Sequence, residues 1–102
     1  MLQDRSPTWS FLTNHAQVLL CVARDPAVRL RDIGDTVGIT ERAAHRIVGE
    51  LADAGYISRE RVGRRNRYGI RPDLPIPDRL PREQKVGDLL ALIEQRHESA
   101  AG

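Results

Sequence analysis

Arginine side chains are concentrated in one short stretch of this sequence. RERVGRRNRY, residues 59–68, contains five arginines and one glutamate, with a glycine and an asparagine near its centre. Guanidinium groups are permanently charged and bind phosphate or carboxylate oxygens through paired N–H donors. Residues 40–71 carry eight arginines against four acidic residues, a net charge of +4, whereas the segments before and after carry 0 and −2. This asymmetry indicates a polyanionic partner.

Residues suited to catalysis or metal binding are not grouped in the sequence. No serine, histidine and aspartate stand at a spacing that supports nucleophilic catalysis, and the carboxylates are dispersed among arginines. One cysteine and three scattered histidines, His15, His45 and His97, do not form a cysteine-rich metal site. We therefore expect no enzymatic activity, no metal ion and no cofactor.

Length and composition predict a single soluble domain. The 102 residues are 40% hydrophobic and 29% charged, which is ordinary for a globular protein. The longest apolar run, residues 18–23, is too short to cross a bilayer, and no signal peptide is evident. The single cysteine, Cys21, fits a reducing compartment. We predict a cytoplasmic, nucleoid-associated protein in which Cys21 is a core residue, and a redox-sensing thiol is the less favoured alternative.

The N-terminal part of the chain predicts an arm and a first helix. Residues 1–13 have no sustained periodicity, and we expect the aromatic residues of this arm to dock on another surface, which the sequence does not identify. Asn14 and Gln17 have the spacing of a capping pair at the start of the first helix. Asp25 and Pro26 end it, because proline disfavours helical conformation in the residue before it.

Two further helices follow at close spacing. The segment LRDIGDTV, residues 30–37, has its apolar residues at helical intervals, and Gly38 after it suits a left-handed helix end. Thr40 can cap a third helix, ERAAHRIVGELADA, residues 41–54, which Gly55 terminates.

After the third helix, the pattern changes to strand-like alternation. YISRERV and RYGIR, residues 56–62 and 67–71, predict two strands around the turn residues GRRN, 63–66. Four prolines within residues 72–81 exclude a helix interior and predict a stiff linker or surface strap. Residues 82–98 then predict an amphipathic C-terminal helix.

The predicted elements of residues 14–71 follow the order of a winged helix-turn-helix domain: two helices, a tight turn, a third helix and a hairpin. Two helices that cross near a right angle through a short turn need a small residue where their backbones approach and a glycine in the turn. Gly34 and Gly38 occupy these places. The predicted fold class is mainly α with a small β-hairpin wing, followed by the C-terminal helix.

The segment IGDTVGITERAAHRIVGELADAGYISRERVGRRNRYGI resembles the winged helix-turn-helix of small bacterial transcriptional regulators of the MarR and ArsR type. In those families, the third helix lies in the major groove of double-stranded DNA, and the hairpin contacts the flanking backbone or the minor groove. The resemblance implies that six residues of this chain face DNA: Thr40, Glu41, Arg42, Ala43, His45 and Arg46. Gly34 departs from the alanine usual in the family. The cysteine-rich ArsR metal sites are also missing. A typical MarR regulator is longer, and this sequence identifies no small-molecule effector.

The polar face of the third helix and the hairpin are the expected contact surfaces. Arg42, His45 and Arg46 lie opposite the apolar face of the helix, near its start, where a recognition helix contacts base edges. Either Arg42 or Arg46 could bind guanine through two hydrogen bonds, and the alternative is a solvated polar face. We expect phosphate or minor-groove contacts from the following hairpin residues: Arg59, Arg61, Arg64, Arg65, Asn66 and Arg67.

The C-terminal helix carries an apolar stripe, formed by Val86, Leu89, Leu90 and Ile93. The stripe could cover the core of its own domain or pack on the same helix of a second chain. We favour a homodimer, because palindromic DNA sites reward two-fold symmetry.

Two alternatives to DNA binding stay open at this point. One is a winged helix that serves as a protein-interaction module without specific DNA binding. RNA binding is less favoured, because the aromatic residues do not form an obvious stacking platform.

Overall fold

The computed structural model describes residues 8–76 and 85–101, and within them it has the predicted winged-helix architecture. Four helices and one antiparallel two-stranded hairpin are present in these residues. The elements are α1 (Asn14–Arg24), α2 (Leu30–Val37), α3 (Glu41–Asp53), β1 (Ile57–Val62), β2 (Arg65–Ile70) and α4 (Val86–Ala101). None of the helices in this described part combines the length and hydrophobicity needed to span a bilayer.

The start of α1 is capped one residue earlier than the sequence pattern suggested. Thr13, in extended conformation, accepts a hydrogen bond at its Oγ1 from the backbone N–H of Ala16, at 3.2 Å. The prediction that Asn14 and Gln17 form the capping pair was therefore wrong. The Gln17 amide instead donates to the carbonyl oxygen of Leu12 at 2.9 Å. A threonine hydroxyl satisfies an otherwise unpaired helical N–H as well as asparagine does.

The corner between α2 and α3 depends on two glycines. Gly38 has φ +88°, the left-handed conformation that glycine adopts without strain. The carbonyl oxygen of Gly34 accepts from the N–H groups of Gly38 and Ile39, at 2.8 and 2.9 Å. A Cβ added at Gly34 would lie 2.7 Å from the carbonyl oxygen of Ile39, so the corner in this geometry has no room for a larger residue at this position. Thr40 then caps α3 through its Oγ1, 3.0 Å from the N–H of Ala43.

The core lies where α1, α2, α3 and the base of the hairpin meet. Its buried members are Val18, Leu19, Val22, Ile33, Ala44, Ile47, Val48, Leu51, Ile57, Tyr68 and Val86. Each large apolar side chain removed from water contributes roughly 1.5–3 kcal/mol to folding. Since α3 supplies four of these residues from one face, its opposite face is left for solvent or a partner.

The hairpin loop is shorter than predicted. Val62 pairs with Arg65, so the loop contains only Gly63 and Arg64, and Gly63 has φ +65°. Glycine at the first position of a two-residue loop is typical of hairpins whose turn matches the strand twist. The prediction of a four-residue tip was therefore wrong, because Arg65 and Asn66 belong to β2.

The proline-containing segment after β2 folds onto the domain. The Tyr56 hydroxyl donates to the carbonyl oxygen of Pro75 at 2.9 Å, and the Val86 N–H donates to that of Leu74 at 2.8 Å. These contacts are those of a surface strap, and they place Leu74 and Pro75 beside Lys85 and Val86 at the start of α4. Residues 77–84, which include the rest of the predicted linker, lie outside the described part of the chain.

Helix α4 divides its apolar residues between two environments. Val86 is 3% exposed and belongs to the core of its own chain, and half-buried Leu90 packs against that core. Val86 is therefore not available as a dimer contact, contrary to prediction. Leu89 and Ile93 are half-buried, whereas Leu92, which the predicted stripe left out, is 68% exposed.

The described end of the N-terminal arm exposes its aromatic rings. Trp9 and Phe11 are 61% and 91% exposed, and they contact each other edge to face with centroids 5.3 Å apart. The two rings are therefore not docked on the core of the described part of the chain, and their docking elsewhere stays a prediction. Residues 1–7 lie outside the described residues.

Candidate nucleic-acid interface

The polar surface of α3 is available to a partner along its first two turns. Five of the six residues expected to face DNA are exposed, namely Thr40, Glu41, Arg42, His45 and Arg46, while Ala43 is half-buried. Ala44, Ile47 and Val48, which alternate with them, are buried against α1 and α2. The helical period therefore separates the two faces as the sequence pattern predicted.

One of these residues, Arg46, is paired within the chain. Its Nη1 donates to Oε2 of Glu50 at 3.1 Å, and Oε1 of the same carboxylate lies 2.6 Å from Nε2 of His15 on α1. The hydrogen bond from His15, and then that from Arg46, holds the pKa of the Glu50 carboxyl below its usual range. The Arg46 and Glu50 side chains are exposed, whereas His15 is half-buried. Glu50 therefore links α1 to the predicted DNA-facing side of α3.

Sequence reasoning did not select His15 or Glu50 as site residues. The spacing of Arg46 and Glu50, four residues apart on a helix, was a signal that could have identified that pair. The contact between His15 and Glu50 joins residues 35 positions apart, and no local pattern identifies it.

We call the hairpin, residues 57–70, the wing. Its arginines are distributed over both faces of the two-stranded sheet. In the observed register, Arg59 and Arg61 lie on the same face as Asn66, whereas Arg65 and Arg67 lie on the other. Glu60 stands directly opposite Arg67 across the strands, an arrangement that opposite charges favour. The wing therefore presents positive charge on both sides.

The wing arginines differ in what they already contact. Arg64 occupies the two-residue loop, and Arg61 Nε donates to the carbonyl oxygen of Gly63 at 3.3 Å. Arg65, which was predicted to be a turn residue, begins β2 instead. Its Nη2 donates to the carbonyl oxygen of Ala27, in the segment between α1 and α2, at 2.6 Å.

A cleft of about 460 Å³ connects the wing to α2 and to the start of α3. Its walls are formed by Ala27, Val28, Arg29, Leu30, Arg31, Asp32, Glu41, Arg64, Arg65, Asn66 and Tyr68. Glu41, in the first turn of α3, and Arg64, at the tip of the wing, therefore line the same cavity. Arg29 and Arg31 add positive charge that sequence reasoning did not assign to this surface.

The remaining reactive groups do not form a second site in the described residues. Burial raises the pKa of the Cys21 thiol, and the nearby Arg24 guanidinium only partly offsets it, so the neutral thiol is favoured. In residues 8–76 and 85–101, no cluster of three or more histidine, cysteine, aspartate or glutamate side chains is placed to hold a metal ion.

A comparison with known protein families identifies the family of this chain. A model of the MarR family matches residues 10–67, which is more than half of the chain. The chain belongs to the MarR family. A comparison with curated proteins found no match. MarR family proteins are winged-helix transcriptional regulators that bind DNA. The matched range covers α1 to α3 and the tip of the wing, and it therefore includes both surfaces described above.

Proposed function

We propose that this MarR family protein is a sequence-specific regulator of transcription that binds double-stranded DNA, with α3 in the major groove and the wing on the backbone or minor groove. The observation that carries the proposal is the cleft lined jointly by Glu41 and Arg64. Because the first turn of α3 and the tip of the wing line one cavity, a single duplex can meet both. A winged helix-turn-helix requires this arrangement.

The residues of α3 suit reading of base edges. Its 13 residues make a rod of about 20 Å, and the major groove is about 12 Å wide, so the first two turns can enter it. Arg42 or Arg46 would donate two hydrogen bonds to guanine, and His45 lies between them in sequence. Thr40, Glu41 and Ala43 complete the part of α3 that approaches DNA.

The wing suits contacts that carry little sequence information. Arg64 lies at the tip, and we assign it to phosphate or to a narrow minor groove, where arginine is favoured by the negative potential. Arg59, Arg61 and Arg67 extend the positive surface along both strands of the hairpin, and Asn66 adds a neutral amide that can donate to phosphate. Contacts of this type fix the position of the protein on the duplex.

We further propose a homodimer that reads two half-sites about one helical turn apart. MarR family proteins typically bind DNA as dimers. In this chain, Leu89, Leu92 and Ile93 follow at helical spacing on α4, and Leu92 is strongly exposed. We assign the dimer contact to these three residues.

Selection of bound sequences from a random pool of duplex DNA tests the proposal, together with the salt dependence of binding. Neutralisation of roughly 6–10 phosphates would reduce the affinity by about 10³–10⁵ between about 50 and 200 mM salt. We expect Arg46→Ala to weaken binding and to relax the selected consensus at one position. Arg64→Ala should weaken binding to all sequences alike and reduce the salt slope by about 0.9.

Lys85→Ala provides the matched control, because it removes one positive charge from an exposed residue before α4, outside the proposed contact surface. It should leave both the consensus and the salt slope unchanged. Failure of the parent protein to bind any duplex would contradict the proposal and favour the protein-interaction alternative.

A further inference from the structure

One arginine of the wing, Arg65, forms a hydrogen bond to a segment of the domain outside the wing. Arg65 Nη2 donates to the carbonyl oxygen of Ala27 at 2.6 Å, across 38 residues of sequence. A guanidinium donor makes this a charge-assisted hydrogen bond, a class that is shorter and stronger than bonds between neutral groups. The contact links β2 near the tip of the wing to the segment between α1 and α2.

The acceptor of this bond is held in place by its neighbours. The N–H of Ala27 donates to Oδ1 of Asp25 at 3.1 Å, and the N–H of Val28 donates to the Asp25 carbonyl oxygen at 2.9 Å. The preceding carbonyl, that of Pro26, accepts from the N–H of Tyr68 at 2.8 Å. Ala27 therefore lies in a turn that is hydrogen-bonded on both sides, and a bond to its carbonyl oxygen fixes the donor as well.

The two contacts between β2 and this segment lie at different heights on the wing. Tyr68 is buried in the core, at the base of the hairpin, whereas Arg65 is next to the loop. One attachment at the base would allow the hairpin to tilt, and a second attachment near the tip opposes that motion. Ala27 and Arg65 both line the cleft, so the bond from Arg65 also joins two segments of its wall.

We propose that Arg65 is a positioning residue, which anchors the wing to the turn at Ala27 and so sets the distance between Arg64 and the first turn of α3. The part that concerns DNA rests on the proposed function above. Arg65 acts on binding through the Ala27 carbonyl, whereas Arg64, its neighbour in the loop, acts through its charge.

Arg65→Met and Arg64→Met form a matched pair that tests this in the full chain. Both remove one exposed guanidinium from adjacent positions, and only the first removes the bond to Ala27. In the free protein, we expect Arg65→Met to accelerate hydrogen exchange of the Tyr68 amide roughly tenfold, because the wing then opens more readily. Arg64→Met should leave that exchange unchanged. Equal exchange rates in the parent and in Arg65→Met would overturn the positioning role, whatever the result with DNA.

The salt dependence of DNA binding supplies the second measurement. For Arg64→Met, the salt slope should fall by about 0.9, as expected for one lost phosphate contact. Arg65→Met should weaken binding at every salt concentration and change the slope by less than half as much. A fall equal to that of Arg64→Met would show that Arg65 is a phosphate contact and would contradict the inference. If the parent does not bind DNA, the proposed function fails, while the exchange measurement still decides whether Arg65 anchors the wing.

Discussion

Arg46 and Glu50 lie one turn apart on α3, and the guanidinium of the first donates to the carboxylate of the second at 3.1 Å. The same carboxylate is held by His15. In the free protein, Arg46, one of the two arginines that we propose for base contact, is therefore bound to an acidic group on its own helix. With Nη1 held by Glu50, the guanidinium is less free to turn its paired N–H donors towards a guanine.

Replacement of Glu50 by glutamine should strengthen DNA binding. The change weakens the internal contact of Arg46 and removes one negative charge from the helix that faces a polyanion, so we expect affinity to rise roughly threefold to tenfold at low salt. Asp53→Asn removes the same charge from an exposed residue of α3 that is not part of this ion pair. Binding titrations of both variants separate the two effects. A gain of equal size in Asp53→Asn would mean that release of Arg46 contributes nothing.

The lowered pKa of Glu50 makes a prediction about pH. Because the folded-state pKa of this carboxyl is below its unfolded value, the ionised form contributes to stability at neutral pH, and the contribution is lost as the pH falls through the folded pKa. The parent and Glu50→Gln should therefore differ in Tm near pH 6 and converge in acid, where Glu50 is protonated. Thermal melts along a pH series measure this. A difference in Tm that does not change with pH would contradict the assignment.

Gly34→Ala should destabilise the protein although alanine is the better helix former. Its Cβ would approach the Ile39 carbonyl oxygen to 2.7 Å, and a clash with backbone costs roughly 1–3 kcal/mol, more than the ~1 kcal/mol gained in helix propensity. Gly49→Ala, on α3, meets no atom within 4 Å and should raise the free energy of unfolding by about 0.5–1 kcal/mol. Urea unfolding of both variants gives the comparison. Stabilisation by Gly34→Ala would show that the corner between α2 and α3 can relax.

The elements of this fold could be predicted from local features of the sequence. Gly38 ends α2 and Gly55 follows the end of α3, and both have positive φ. The helical spacing of the apolar residues in α3 identified its buried face. The errors concern choices between nearby residues of similar chemistry. Thr13 and Asn14 are both good caps, and a loop of two or of four residues fits GRRN equally well.

The contacts that refine the site could not be predicted, because they join distant parts of the chain. From the sequence alone, an arginine in a basic hairpin is expected to bind phosphate. Only the folded structure shows that Arg65 donates to the carbonyl oxygen of Ala27. The same holds for His15 and Glu50. The burial of Val86 also involves distant residues, because its N–H donates to the carbonyl oxygen of Leu74, in the segment that follows β2.

The division of α4 into a core side and an exposed side gives a prediction for the dimer. Leu92→Gln should abolish association, since it places a polar amide in the proposed contact. It should leave the monomer folded, because substitutions of exposed residues usually change the free energy of unfolding by only about 0.5 kcal/mol. In the parent, Tm should then rise with protein concentration, as for any assembly that stabilises the folded state, and this dependence should vanish in the variant.

Val86→Ala is the converse control. It opens a cavity in the core and should lower the free energy of unfolding by on the order of 2 kcal/mol without removing the concentration dependence. A parent that sediments as a monomer at all concentrations would contradict the homodimer. A Leu92→Gln variant that still dimerises would place the two-fold contact elsewhere, because Leu92 is the exposed large apolar residue among the described side chains of α4.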